Sequence, residues 1–309
     1  MLYYMFTACF SAERLPLIKK GMGDASMRIY VIPNYYKRET SHSMANLLRW
    51  AEATDSVVVI AREYEGRIPP DKSKAVRYIE KNDMNELKKC EVVITIGGDG
   101  TLIRNAGTAS DLGLPIVGVN TGTLGFLASI EPGEVKNKMD ILLKGDEYHI
   151  ESRMGLAAAW STGEIHYAIN DIVLQKASHG GLASIDVCIG DEIIGRYRSD
   201  GVMVTTPTGS TAYAYSAGGP AMYPAMDIAC VLPICPQNRM NIPLVVGMDK
   251  SVTFNIRQGT MRLLADGVDY GAVRKGEKIS VTKAAKRLDL IKFDDDWGIM
   301  QWQEKVGRL

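Results

Sequence analysis

The chain has 309 residues, 46% hydrophobic and 23% charged, the balance of a globular protein of one large domain or two ordinary ones. Its 36 Lys and Arg residues offset 36 Asp and Glu residues, so the net charge is zero and a protein built mainly to hold nucleic acid is disfavoured. No stretch reaches the roughly 18–20 consecutive apolar residues that cross a bilayer, so no membrane role is expected. Five scattered cysteines (Cys9, Cys90, Cys188, Cys230, Cys235) form no CxxC pair. Neither a disulfide scaffold nor a structural zinc site is therefore expected, and a reducing cytoplasm is the expected compartment.

Met1–Ala12 is apolar but lacks the basic segment of a secretory signal. Met27 opens straight into a β-type run, so residues 1–26 are expected to be a dispensable extension. Arg28–Pro33 is a predicted strand. Met44, Leu47, Leu48 and Ala51 then fall at i, i+3, i+4, i+7, one face of an amphipathic helix. Ser56–Ile60 has the β-branched character of a buried parallel strand. Asp71–Leu87 reads as a mixed helical stretch. Glu91–Ile96 is another buried strand and ends abruptly at Gly97-Gly98-Asp99-Gly100. Thr101–Gly107 is a predicted helix and Pro115–Val119 a further strand. This alternation predicts an open, mostly parallel α/β domain over residues 27–128.

After a short helix near Pro132–Leu143 the period changes to two. Ile185, Val187 and Ile189 share one face of Ala183–Ile189, while Ser184, Asp186 and Cys188 share the other. Gly190-Asp191 reads as the turn into Glu192–Ser199, and similar strands recur to about residue 282. Residues 129–282 are thus expected to be all-β, with two packed sheets.

Three segments have the composition of a site. In Gly97–Thr101, glycines after a buried strand allow close approach of a ligand, and the following helix presents free N–H groups suited to phosphate. Asp99 inside that turn is either a general base or an Asx-type turn residue capping the helix. In Gly118–Phe126, glycines and Asn120 follow a second strand, either at the ligand crevice of the sheet or as an ordinary loop. In Arg198–Tyr213, hydroxyl residues crowd around Pro207 and end on an aromatic ring, as a sugar or purine requires; a plain turn is the alternative. Asn170-Asp171 opens a strand as a turn or as a pair of ligand contacts. His42, His149, His166 and His179 lack metal-ligand spacing, no GxSxG elbow exists, and GxxxxGK[ST] and a complete GxGxxG are both absent. The fifteen methionines read as core filler.

Together GGDGT (97–101), NTGTLGFLA (120–128), ND (170–171) and RSDGVMVTTPTGSTAYAYSAGGP (198–220) closely resemble the NAD kinases, in order and spacing, from about Met27 onward. The resemblance implies transfer of a terminal phosphate to the 2′-hydroxyl of the adenosine ribose of NAD, giving NADP. ATP or inorganic polyphosphate would be the donor, with a divalent metal (Mg²⁺) held by no dedicated protein cage. It also implies an α/β domain, a β-sandwich, a C-terminal stretch (283–309) that packs back on the first domain, and a homo-oligomer, dimer or tetramer. Residue by residue, Asp99 matches the general base, and Gly100 and Arg104 match the dinucleotide and phosphate site. Asn170 and Asp171 match the adenine and ribose contacts, and Asp200 a contact to the nicotinamide end, with Arg198 in the same segment. Thr208, Thr211, Ala212, Tyr213 and Ser216 match the adenine pocket.

Two positions depart from the family pattern. Gly181, with His179 nearby, stands where relatives often carry Arg or His, and Ile242 stands in Asn241-Ile242-Pro243 where Arg-Pro is common. A diacylglycerol- or sphingosine-type lipid kinase is the alternative that shares the glycine turn, and a non-catalytic NAD(H) sensor is the alternative from another class.

Overall fold

Short β-branched runs separated by helices leave little choice but a parallel sheet covered on both faces. The computed structural model describes residues 26–68, 73–122, 125–177, 183–237, 242–293 and 307. In chain order they form β1 (Arg28–Pro33), α1 (Thr40–Ala53), β2 (Val57–Ala61), β3 (Val76–Ile79), α2 (Met84–Leu87), β4 (Val92–Gly97), α3 (Asp99–Leu112), β5 (Ile116–Asn120), α4 (Val135–Lys144) and β6 (Tyr148–Arg153). An antiparallel series follows: β7 (Leu156–Trp160), β8 (Ile165–Ala168), β9 (Asp171–Lys176), β10 (Ala183–Ile189), β11 (Glu192–Ser199), β12 (Gly201–Thr205), the short α5 (Tyr213–Ser216), β13 (Ile228–Ile234), β14 (Leu244–Gly247), β15 (Val252–Gln258), β16 (Met261–Ala265), β17 (Val268–Val273) and β18 (Lys278–Lys283). The last strand is β19 (Leu288–Phe293). The described residues divide into two compact units, one built from residues 26–102, 112–151 and 289–293, the other from 103–111 and 152–288.

The first unit centres on a seven-stranded sheet in the order β3-β2-β1-β4-β5-β19-β6. Its inner strands pair in parallel, with Ile29 opposite Val58 and Val92, and Ile94 opposite Val117. Met44, Leu47, Leu48 and Ala51 of α1 are buried in one cluster with Ile29, Val31, Ile94 and Val119, as their spacing predicts. From β1 the chain winds outward to β2 and β3, then returns to the other side of β1 as β4 and β5. The order therefore reverses between β1 and β4, and loops at the carboxyl ends there line a crevice in folds of this kind.

The expected helix over Asp71–Leu87 is a correction. Val76–Ile79 pairs in parallel with β2, from Val58↔Val76 to Ala61↔Ile79. Of the described residues in this stretch only Met84–Leu87 are helical, one turn capped by the Asp83 carboxylate, which accepts from Asn85 N (3.2 Å) and Glu86 N (3.3 Å). A Val-Arg-Tyr-Ile run beside an unpaired sheet edge gains ladder hydrogen bonds that a mixed helical pattern does not offer.

The second unit holds two six-stranded antiparallel sheets, β11-β10-β15-β18-β7-β8 and β14-β13-β12-β9-β16-β17. Ile185, Val187, Phe254 and Val281 of one share a core with Ile172, Leu174, Val204 and Leu263 of the other. Asp186 sits among the polar residues of its strand as predicted, yet it is fully buried. Arg196 (2.6 Å) and Arg257 (2.7 Å), from the strands on either side, close over its carboxylate.

Candidate functional site

In the first unit, the glycine segment after β4 is tighter than its sequence suggests. Gly97 ends the strand, and Asp99 and Gly100 already belong to the first turn of α3. Asn34, just past β1, donates from its backbone N–H to Ile96 O (2.8 Å) and from Nδ2 to Thr101 Oγ1 (3.1 Å). Thr121, just past β5, donates from its backbone N–H to Gly97 O (2.9 Å). The loops following β1, β4 and β5 are thereby tied together at the reversal point of the sheet.

Asp99 does not serve as a local turn or cap residue. Its Oδ2 accepts from Phe126 N (2.7 Å), and its Oδ1 accepts from Leu127 N (3.1 Å) and Ala128 N (2.9 Å). An ionised carboxylate offers about four lone-pair positions. Three are taken here, two of them on Oδ1, so the open one lies on Oδ2. A β-carbon at position 125 would collide with the Asp99 carboxylate, so Gly125 is what lets the 126–128 backbone approach so closely. Gly100 and Arg104 are exposed on α3. Thr123 and Leu124 lie outside the described residues.

In the second unit, a cavity of about 350 Å³ is lined by Asn170, Asp171, Ala212 and Tyr213 together with Val173, Gln175, Leu264, Asp266 and Gly267. Its size falls in the range of small-molecule sites. Asp266 occupies the β16–β17 hairpin turn at φ 48°, followed by Gly267 at φ 76°. Its carboxylate accepts from Ile169 N (2.7 Å), Asn170 N (2.7 Å) and Asp171 N (3.2 Å), which sets the start of β9. Burial pushes the Asp171 carboxyl up to about 7, and the nearby Asp266 charge adds to the rise. Burial also raises Asp266, while its three backbone N–H donors pull it back. Two carboxylates on one wall repel phosphate and favour a ligand rich in N–H and O–H donors, beside a half-exposed aromatic ring at Tyr213.

The hydroxyl residues around Pro207 largely serve the chain itself. Thr205 and Thr206 hydroxyls donate to Asn170 O (3.1 Å) and Ile169 O (2.5 Å), and Ser210 Oγ donates to Pro207 O (2.7 Å). Gly209 lies against the Asn170 carbonyl, where a β-carbon has no room. Buried Thr208 accepts from Arg153 Nη1 (3.3 Å), and Asp200 pairs with Lys176 (2.6 Å). Arg198 and Ser216 are exposed and Thr211 is half-buried. None of Arg198, Asp200, Thr208, Thr211 and Ser216 is among the residues lining the cavity. Gly181, His179 and Asn241 lie outside the described residues, whereas Ile242 is exposed.

Sequence reasoning missed Asp266, Arg153 and Asn34. Asp-Gly between two alternating runs is the signal of a two-residue hairpin, so Asp266 was locatable as a turn. Nothing local announces that its carboxylate reaches back to residues 169–171.

Two family models match the chain: the ATP-NAD kinase N-terminal domain over residues 29–148 and the ATP-NAD kinase C-terminal domain over residues 169–293. A curated NAD kinase of Symbiobacterium thermophilum is 38% identical over 209 residues, covering 66% of this chain and 74% of that protein. An NAD kinase of Chlorobaculum tepidum is 31% identical over 271 residues, covering 86% of this chain and 91% of that protein. Among solved structures, yeast NADH kinase complexed with NADH aligns with a TM-score of 0.79 at 22% identity, covering 92% of this chain and 89% of the other. An Archaeoglobus fulgidus NAD kinase in complex with ATP aligns at 0.70 and 22%, covering 92% and 100%. At that identity the structural likeness concerns the fold.

Proposed function

This chain belongs to the NAD kinase family, and from that premise we propose how its own residues divide the work of phosphorylating NAD. The enzyme is a phosphotransferase that takes the terminal phosphate of ATP to NAD. The acceptor is the 2′-hydroxyl of the adenosine ribose: its oxygen bonds to the γ-phosphorus, the bond to the departing ADP oxygen breaks, and the proton passes to Asp99 Oδ2. The observation that carries this role is the hydrogen-bond pattern of Asp99, which leaves its open acceptor position on that oxygen. Phosphoryl transfer depends chiefly on positioning and charge, so a rigidly held carboxylate next to a helix N-terminus is suited to it.

We assign the cavity of the second unit to adenosine. Asp171 and Asn170 accept from and donate to the hydroxyl and amine edges, Tyr213 offers a stacking face, and Asp266 holds the pair in place. Gly100 and Arg104, exposed on α3, are assigned to phosphate, and Arg198, Asp200, Thr208, Thr211 and Ser216 to supporting the dinucleotide. Mg²⁺ supplies charge neutralisation when bound. We assign the cation to the donor's phosphates and water.

Among the described residues no helix is long and apolar enough to cross a membrane. Free thiols at Cys90, Cys188, Cys230 and Cys235 support a reducing cytoplasm. A homo-oligomer is supported by the edge strand β14, which presents Leu244 and Val245 to solvent next to Ile242. Neither a lipid kinase nor a sensor without turnover is favoured by the relatives.

Incubation of purified protein with ATP, Mg²⁺ and NAD, followed by NADP detection, tests the reading, with NADH and polyphosphate in parallel. Absence of NADP from folded protein that binds both substrates would refute it.

A further inference from the structure

We propose that Lys292 is a positioning residue for Asp99, acting through two peptide groups of the loop between them. Lys292 lies on β19 and is 1% exposed, among the largest fully buried side chains of the molecule. Its ammonium donates to Phe126 O and to Leu127 O, both at 3.3 Å. The N–H groups of the same two peptide units, those of Leu127 and Ala128, both donate to Asp99 Oδ1. In a planar trans peptide the C=O and N–H point in opposite directions. Each unit is therefore a bridge with a cation at its carbonyl and a carboxylate oxygen at its N–H, and the two bridges run side by side.

The consequences follow from geometry and polarisation. A cation at the carbonyl oxygen strengthens the N–H as a donor, because hydrogen bonds in a chain polarise one another. Both strengthened donors converge on Oδ1, which holds that oxygen as the double acceptor and keeps the open position on Oδ2. Without Lys292 the two carbonyls lose a charged donor and the 126–128 segment loses one of the contacts that fix its distance from Asp99, beside the bonds of Ser129 and Ile130 N–H to Gly118 O. The side chain touches neither reacting atom, so its effect belongs to turnover rather than to dinucleotide binding.

This inference rests on Asp99 being the base, and a double-mutant cycle separates the two claims. Lys292→Met removes charge and donors at similar length, and it should lower kcat by about 10- to 100-fold, the range for hydrogen bonds to charged groups. The Michaelis constant for NAD should stay within about twofold, and in an Asp99→Asn background the same change should alter the residual rate less than about twofold, since residues acting through one another are not additive. Lys292→Arg should recover most of the rate. Lys292→Gln, which keeps a donor without the charge, should fall between Arg and Met, and it carries the test if the methionine variant fails to fold. An unchanged kcat, a loss seen in KM instead, or the same fold-loss in the Asp99→Asn background would overturn the role of Lys292 while leaving the base intact. If Asp99→Asn alone stays active, the base reading falls and this inference with it.

Discussion

Replacing Asp171 by Asn should stabilise the protein, and the gain should grow with pH. Burial and the Asp266 charge raise the Asp171 carboxyl from an ordinary 3.8 to about 7. Between about pH 4 and 7 the folded chain thus holds a proton that the unfolded chain has released. Proton binding by the folded state makes stability fall as pH rises through that window, and above about 7 the full cost of a buried ionised carboxylate is present. Each tenfold change in proton affinity is worth about 1.4 kcal/mol, so the cost has an upper limit of about 4 kcal/mol. A comparison of pH 5 with pH 8.5 captures the part above pH 5, at most about 3 kcal/mol. Asn is neutral throughout and escapes the cost. Even a third of that difference, about 1 kcal/mol, moves a melting point by about 2–4 °C in a domain of 150–250 residues. Thermal melts of both proteins across this range give the difference in Tm at each pH, in which the titration of all shared groups cancels. A difference that is flat with pH, or that shrinks as pH rises, would refute the reasoning. The Michaelis constant of the natural enzyme for NAD should change around pH 7, where folded Asp171 titrates, because ionised Asp171 accepts from a ribose hydroxyl where the protonated acid donates; the variant's should be flat.

Asp99→Asn should lower kcat by about 10²- to 10⁴-fold, the scale of general-base catalysis, with NAD affinity by calorimetry nearly unchanged. Its amide N–H₂ would face a backbone N–H of residues 126–128, so amide exchange there should also quicken. A chain beginning at Met27 should keep its activity and Tm within error, since Met27 itself is buried and bonds to Ser56 Oγ (3.0 Å) and Val57 N (2.7 Å). Large losses in that chain would show that the preceding residues pack on the first unit. Val245→Lys on the exposed edge of β14 should reduce the sedimentation mass if that edge pairs with a second copy; an unchanged oligomer would assign the interface elsewhere.

What was legible in the sequence was whatever a short window specifies. Val57–Ala61 and Val92–Gly97 are strands because β-branched side chains suit a sheet buried on both faces. The face formed by Met44, Leu47, Leu48 and Ala51 is buried because its spacing permits nothing else on a helix. Where the outcome depended on a distant neighbour, local pattern misled. Val76–Ile79 became a strand because the edge of β2 was available, and Asp186 became buried because Arg196 and Arg257 arrived from adjoining strands. The hydroxyl-rich run at 205–210 looked like ligand chemistry. Thr205, Thr206 and Ser210 instead satisfy backbone carbonyls in a tight turn, where an unpaired carbonyl would cost about 1–3 kcal/mol.

The same distinction governs the acidic residue of the glycine turn. The flanking glycines drew attention to Asp99, but its orientation depends on a glycine 26 positions later. Gly125 admits the 126–128 backbone to the carboxylate, and the N–H groups of that backbone settle which oxygen remains open. A motif match records that an acid stands at the end of a strand. It does not record that both oxygens are already engaged, nor that the peptides engaging one of them are held from behind by a lysine on the final strand. Reactivity at Asp99 is therefore a property of three segments that meet only in the folded sheet. Substitutions at Gly125 or Lys292 should disturb it as surely as substitutions inside the turn.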